Sequence, residues 1–184
     1  MIKIWDPARI SKSPAIFDPL KLRAINAAYI RALPAEEFRK LADPFIDQAV
    51  HVQIDRDLLC ANLQPRCEVL EDIPPQLDFF DAVLPIDAEM YRNKKQKTTP
   101  ESAKEALSAL LPVLEAQTDW SRDAIFEACK TLAEQMEKKN GWLLFPLGIA
   151  LSGKARTPGG GTDLAAMMGK EETLRRLNAA IEAL

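Results

Sequence analysis

The sequence predicts an all-α protein, and three observations carry that prediction. Aromatic residues make up only 7% of the chain and glycines number 7, too few for a β-sandwich, whereas the helix formers Ala, Leu, Glu and Lys are abundant. Apolar residues recur at three- and four-residue spacing along most of the chain. Helix starts are signalled by a capping side chain followed by proline, at Asp18-Pro19 and again at Thr99-Pro100. With 184 residues and 47% hydrophobic side chains, the chain can bury a real core and is too short for most multi-domain enzymes.

In chain order, residues 1–17 read as irregular, because Pro7 and Pro14 break any helix. The helix opened by Asp18 carries Leu22, Ile25, Asn26, Tyr29, Ile30 and Leu33 at helical spacing. Pro34 ends it and opens a second helix containing Phe38, Leu41 and Phe45. A third stretch near 54–71 bears Leu58, Leu59, Leu63 and Leu70, and Pro65 inside it removes a backbone donor, which predicts a kink or split just before Arg66. Pro74, Pro75 and Pro85 around Phe79-Phe80 predict short segments and a change of direction. The chain is expected to divide into a helical subdomain over 1–92 and a second over 93–184, with the basic run Tyr91–Lys97 at the join.

The second half opens with helices near 100–116 and 121–138. The first carries Ala103, Leu107, Leu110, Leu111 and Leu114 behind the cap Thr99; the second carries Ile125, Phe126, Cys129, Leu132, Ala133 and Met136 behind Ser121. Asn140-Gly141 reads as a turn, and Trp142–Leu151 is an apolar run that periodicity leaves as a buried helix or a strand. After the glycine-rich loop Thr157–Gly161, Leu164, Met167 and Met168 form a short helix ended by Gly169, and Leu174, Leu177, Ile181 and Leu184 stripe a last one.

The net charge of −3 hides an asymmetry: residues 43–90 carry eleven acids and two bases, while 1–42 carry eight bases and four acids and 138–184 seven bases and four acids. Two basic segments therefore flank an acidic one, which a polyanion could exploit, although such runs also arise simply as solvated helix faces. The cysteines Cys60, Cys67 and Cys129 form no close pair and leave an odd number, arguing against a disulfide framework or a four-thiolate zinc site. No apolar run reaches the length of a membrane span, and Met1–Asp6 shows no charged-then-apolar leader, so a soluble, cytoplasmic protein without a membrane partner is expected.

Motifs for catalysis are absent. Gly148 to Lys154 has the glycine-to-lysine spacing of a phosphate-binding loop, but the next residue is Ala155, where that chemistry needs a magnesium-holding hydroxyl, and no strand is expected before it. The lone histidine, His51, has no metal-ligand partners at suitable spacing and reads as a surface or helix-end residue. Adjacent carboxylates such as Glu36/Glu37 and Glu171/Glu172 point to different helix faces and cannot work as an acid–base pair. No catalytic residue, metal or cofactor is expected from this chain. What remains is the basic loop Ser152–Gly160, in which Lys154 and Arg156 can hold phosphates and the Thr157 hydroxyl can read a base edge in unstacked RNA; its plain alternative is a helix connector.

Several strings, in order, resemble the C-terminal half of bacterial glutamyl-tRNA synthetases: Ser11–Asp18, Lys21-Leu22, Asn26 with Tyr29–Arg31, the Asn93-Lys-Lys stretch, Pro146-Leu147 with Ala150–Lys154, Thr157–Gly159, and Gly169–Leu177. The likeness spans nearly the whole chain and implies a two-subdomain helical cage that binds a tRNA anticodon, with the catalytic ATP-binding domain absent from this sequence. Ile10–Ser13 only mimics that domain's second signature. The resemblance places Arg66, in Gln64-Pro-Arg66, where the family reads the third anticodon base: a guanidinium fork donates two hydrogen bonds to a pyrimidine's acceptor edge. Thr157 matches a second position in the anticodon pocket, and Lys21 and Asn26 match contacts nearer the inner corner of the tRNA. Two departures stand out: Gly148 where the family usually has arginine, and Ala24 where tryptophan is common. The implied partners are glutamate tRNA, through its anticodon stem-loop, and a catalytic domain in cis. The alternative is a helical protein-interaction module derived from a synthetase that no longer binds RNA.

Overall fold

The computed structural model describes residues 17–184, in which eight α-helices are joined by loops and short 3-10 segments. The helices are α1 (Pro19–Ala32), α2 (Ala35–Ile46), α3 (Arg56–Leu63), α4 (Pro100–Ala116), α5 (Arg122–Gln135), α6 (Asn140–Ser152), α7 (Gly161–Met168) and α8 (Lys170–Ala183). The 3-10 segments Gln64–Arg66, Leu70–Asp72, Pro74–Gln76 and Ala88–Tyr91 all lie between α3 and α4. The expected irregular start with Pro7 and Pro14, and the strings Ile10–Ser13 and Ser11–Ile16, lie outside the described residues.

Local chemistry explains most helix ends. The Asp18 carboxylate accepts from the backbone N–H groups of Leu20 and Lys21, Asp55 caps α3 through Leu58, and Ser121 caps α5 through Ala124. Thr99 and Ser102 form a reciprocal capping box at α4, with Pro100 in its first turn. Pro65 ends α3 as expected and turns the chain into the tight Gln64–Arg66 segment. Gly153 ends α6 at φ 65°, and a Cβ there would lie 2.9 Å from the Leu84 Cβ, so both the backbone angle and the packing call for glycine.

Three expectations are corrected. Asn140-Gly141 is no turn: it forms the first residues of α6, and the ambiguous apolar run is helix throughout. The apolar stripe expected for α1 is largely exposed, with Tyr29 at 73% and Leu22 at 53%, because α1 rests on the protein through Ala27 and Ile30 instead. In α2 the buried face is Phe38, Ala42 and Ile46, while Leu41 points outward.

The main core is a continuous apolar cluster to which Phe38, Leu59, Leu77 and Phe79 contribute from the first half and Leu110, Ile125, Leu147 and Leu177 from the second, and a smaller cluster gathers Tyr91, Leu107, Ile149 and Ala180. Full burial of each such side chain stabilises the fold by about 1.5–3 kcal/mol. One charged residue lies in this seam. Arg176 on α8 is 1% exposed, and its guanidinium donates to the carbonyls of Phe79 at 2.7 Å, Phe80 at 2.8 Å and Leu151 at 2.6 Å, while Nε reaches the Glu172 carboxylate at 2.5 Å. Arg175 and Arg176 hold Glu172 below the usual carboxylate range. A buried cation with a partner for each of its three nitrogens here ties α8 to the Phe79-Phe80 segment of the first half.

Candidate nucleic-acid interface

Arg66 is projected by the break at Pro65. The Gln64 carboxamide donates to the carbonyls of Ile30 at 3.0 Å and Leu33 at 2.8 Å, fixing this segment against the end of α1. Arg66 is exposed, and its Nη1 donates to the Pro158 carbonyl at 2.7 Å and the Thr157 carbonyl at 3.4 Å. Two residues far apart in the chain thus meet at one edge.

The same edge is continued by the loop after α6. The Thr157 hydroxyl donates to the Gly159 carbonyl at 2.5 Å, and the Asp163 carboxylate accepts from the Gly160 N–H at 2.7 Å and from Arg122 Nε at 3.2 Å. The Arg122 guanidinium lies 5.6 Å from the Phe126 ring centroid. Below the loop, α6 and α7 approach closely at Gly161, where a Cβ would come within 2.8 Å of the Leu144 carbonyl. Gly148 beside it has room: a Cβ there would meet only Gly161, at 3.8 Å. Beside this edge lies a cleft of about 930 Å³, lined by Arg66, Gln96, Arg122, Gly148, Arg156 and Thr157 among others.

Of the six residues singled out from sequence, Arg66, Lys154, Arg156 and Thr157 converge on this cleft. They differ in freedom. Arg156 is exposed on the rim, but Lys154 is spent on the protein itself, donating to the Pro75 carbonyl at 2.9 Å and pairing with Asp78. Lys21 and Asn26 sit on α1, away from the cleft lining; both are exposed, and Asn26 donates to the Glu68 carbonyl at 2.6 Å while Arg23 pairs with Glu68 and Asp72. Gln96, Arg122 and Phe126 also line the cleft, and sequence reading missed them as site residues. Their one legible signal is Arg122 four residues before Phe126, the spacing that stacks a cation on a ring of the same helix face.

Among the described residues lining the cleft, Asp163 is the one carboxylate, and it is taken up by the Gly160 N–H and Arg122. Burial pushes the thiols of Cys60 and Cys67 up to about 11 and that of Cys129 up to about 12, so all three are unreactive near neutrality. His51 is exposed and lies outside the cleft, where its backbone N–H and ring hold Asp81 below the usual carboxylate range. Outward guanidinium donors, a hydroxyl and exposed peptide groups suit the recognition of base edges and phosphates.

Residues 26–181 match the anticodon binding domain family. The chain is 42% identical over 184 residues to a glutamate–tRNA ligase of Clostridium botulinum and 41% identical over 185 residues to one of Clostridium acetobutylicum, in each case covering 100% of this chain and 38% of the relative. Among solved structures it resembles a glutamate tRNA ligase from Elizabethkingia meningosepticum in complex with its amino acid, with a TM-score of 0.84 and 27% identity over 100% of this chain and 36% of that one. The chain therefore spans less than two fifths of the length of these relatives. The all-α architecture, the sequence match over most of the chain and the shared fold agree: this chain belongs to the anticodon binding domain family.

Proposed function

We propose that this chain is the anticodon-binding part of a glutamate–tRNA ligase and that it takes the anticodon loop of glutamate tRNA into the cleft lined by Arg66 and the Thr157–Gly161 turn. The observation that carries this reading is the meeting of Arg66 with Thr157 and Pro158 on an exposed edge of that cleft. Both protein contacts use Nη1, so among the described residues Nε and Nη2 are left to face a ligand, the two-donor fork that suits a pyrimidine edge. Arg156 adds a phosphate contact on the rim, and Thr157 presents its turn to a second base. Lys154, already paired with Asp78, acts by holding the loop against the first half rather than by touching RNA.

In this reading residues 1–92 supply Arg66 and, along α1, Lys21 and Asn26 toward the inner corner of the tRNA, while residues 93–184 supply the loop. The aminoacylation chemistry belongs to a catalytic domain in cis, in the cytoplasm. The greater length of the relatives supports this, as does the outward apolar face of α1, where Leu20 is 78% and Tyr29 73% exposed, an arrangement typical of surface that packs against another unit.

Fluorescence anisotropy with labelled glutamate tRNA, compared with the same tRNA carrying a replaced anticodon, tests the proposal at fixed moderate salt. Tighter binding of the native anticodon is expected; equal affinities for the two would remove the claim of anticodon reading.

A further inference from the structure

The basic run at the join of the two halves is not consumed by the contacts above, and its geometry gives it a role. Asn93 and Thr98 exchange both backbone hydrogen bonds, at 3.0 and 3.1 Å, and close a tight hairpin. The Asn93 side-chain oxygen accepts from the N–H groups of Lys95 at 3.0 Å and Gln96 at 3.1 Å, and Lys97 takes the left-handed conformation at φ 57°. Backbone and asparagine thus set the shape, and the lysine side chains are free of that task. Lys94, Lys95 and Lys97 are exposed and, among the described residues, none is in an ion pair, whereas their neighbour Arg92 is held by Glu89 and Lys154 by Asp78. The carboxylates of Glu89 and Glu101 both lie in the field of Arg92.

Gln96 turns the other way. Its carboxamide lies against Gly141 at the start of α6, so closely that a Cβ on Gly141 would collide with it, and it lines one end of the cleft. From there the cleft follows α6 through Leu144, Gly148 and Ile149 toward the Thr157 turn. The eight helical steps from Gly141 to Ile149 span about 12 Å. Lys138 and Lys139 precede α6 at the same end as the hairpin. An anionic strand held at the Thr157 turn therefore has a groove along α6 leading toward the exposed lysines of the hairpin.

Resting on the reading of the cleft above, we infer that the Asn93–Thr98 hairpin is a phosphate-binding ridge that holds the RNA backbone where it leaves the cleft past Gln96. Such contacts are blind to base identity and act by counterion release, so they set affinity and salt dependence but not anticodon preference.

The test measures binding of glutamate tRNA and of its anticodon-replaced form across a salt series, using the full chain and the variant Lys94→Gln/Lys95→Gln/Lys97→Gln. Each lost phosphate contact removes about 0.7–0.9 from the slope of log affinity against log salt, so the slope should fall by about two to three. Affinity at moderate salt should drop on the order of tenfold, equally for both RNAs, and the triple lysine-to-arginine variant should restore both quantities. An unchanged thermal midpoint shows that the glutamine variant is folded. A glutamine variant with the wild-type slope, alongside a wild type that still prefers the native anticodon, overturns the ridge and leaves the cleft reading intact. A wild type that shows no anticodon preference, or binds no tRNA, overturns the cleft reading, and the ridge with it.

Discussion

Two arginines cross between the halves of this molecule, and the same chemistry serves opposite ends in them. Arg176 reaches from the second half to the carbonyls of Phe79 and Phe80 and is 1% exposed, with bonds from Nε, Nη1 and Nη2. Arg66 reaches from the first half to the carbonyls of Thr157 and Pro158 and stays exposed, with contacts from Nη1 alone. A guanidinium whose three nitrogens are all bonded inside the protein is a lock. One with donors left over, at the edge of a cleft, is a lock on one side and, on the other, has donors free for the base reading proposed above. The difference follows from what surrounds each: apolar packing and the Glu172 carboxylate around Arg176, a proline-broken 3-10 turn and a glycine-rich loop around Arg66.

Removing the closed lock should produce the largest effect. Arg176→Met leaves three buried carbonyls without a donor and should cost about 3–5 kcal/mol of stability, visible as a fall of roughly 10 °C in the thermal midpoint by circular dichroism. Arg66→Met should move that midpoint by little, since exposed substitutions lie within about 0.5 kcal/mol. A variant pair with equal losses would erase the distinction between the two seams.

Alkali should separate them further. In the folded chain the Cys60 and Cys67 thiols ionise only at about 11 and Cys129 at about 12, against an ordinary value of 9.0. Above pH 9 the unfolded chain loses these protons while the folded one keeps them. Stability is therefore intact below pH 9 and declines as pH rises toward 11, by about 1.4 kcal/mol per pH unit for each thiol. Urea midpoints between pH 8 and 10 would show it, and Cys129→Ala should flatten the decline; a flat profile in the parent chain would contradict it.

Gly161 sharpens the picture of the open seam. Gly161→Ala drives a Cβ into the Leu144 carbonyl and the Gly148 N–H and should cost about 1–3 kcal/mol, with weakened tRNA binding because α7 carries the Asp163 anchor of the loop. Gly148→Arg should act in the other direction and more gently. The site has space, the helix interior gains about 1 kcal/mol from losing a glycine, and a new cation on the cleft wall should tighten RNA binding several-fold in a titration at moderate salt. A destabilised Gly148→Arg variant would show that the wall is closed to a side chain.

What the sequence disclosed depended on how local the cause was. The bounds of α4 were legible because Thr99, Pro100 and Ser102 cap it within one turn, and the break before Arg66 because proline acts on its own backbone. Asn140-Gly141 misled, since a dipeptide typical of turns here starts a helix whose first glycine lies under Gln96, a contact from 45 residues away. Arg176 was hidden for a related reason. A charge in an amphipathic pattern reads as solvent-facing, and only its place on one face with Thr173, Leu177 and Ala180, with Glu172 four residues before it, marks it as buried. The α1 stripe misled in the opposite sense: periodic apolar residues signal burial against something, and within residues 17–184 nothing covers Leu22 or Tyr29. For the cleft, the basic loop and Arg66 could be picked out, but the meeting of the two, and the spending of Lys154 on Asp78, are tertiary facts.

The central claim, that Arg66 reads a base while Arg176 only holds the halves together, is tested most directly by one ratio. Affinity for glutamate tRNA is divided by affinity for the same tRNA with its third anticodon base exchanged for a purine, in the parent chain and in Arg66→Ala. The ratio should exceed one in the parent and collapse toward one in the variant, a change worth about 1–3 kcal/mol, with overall folding unaffected. A ratio that survives the loss of Arg66 unchanged would contradict the account.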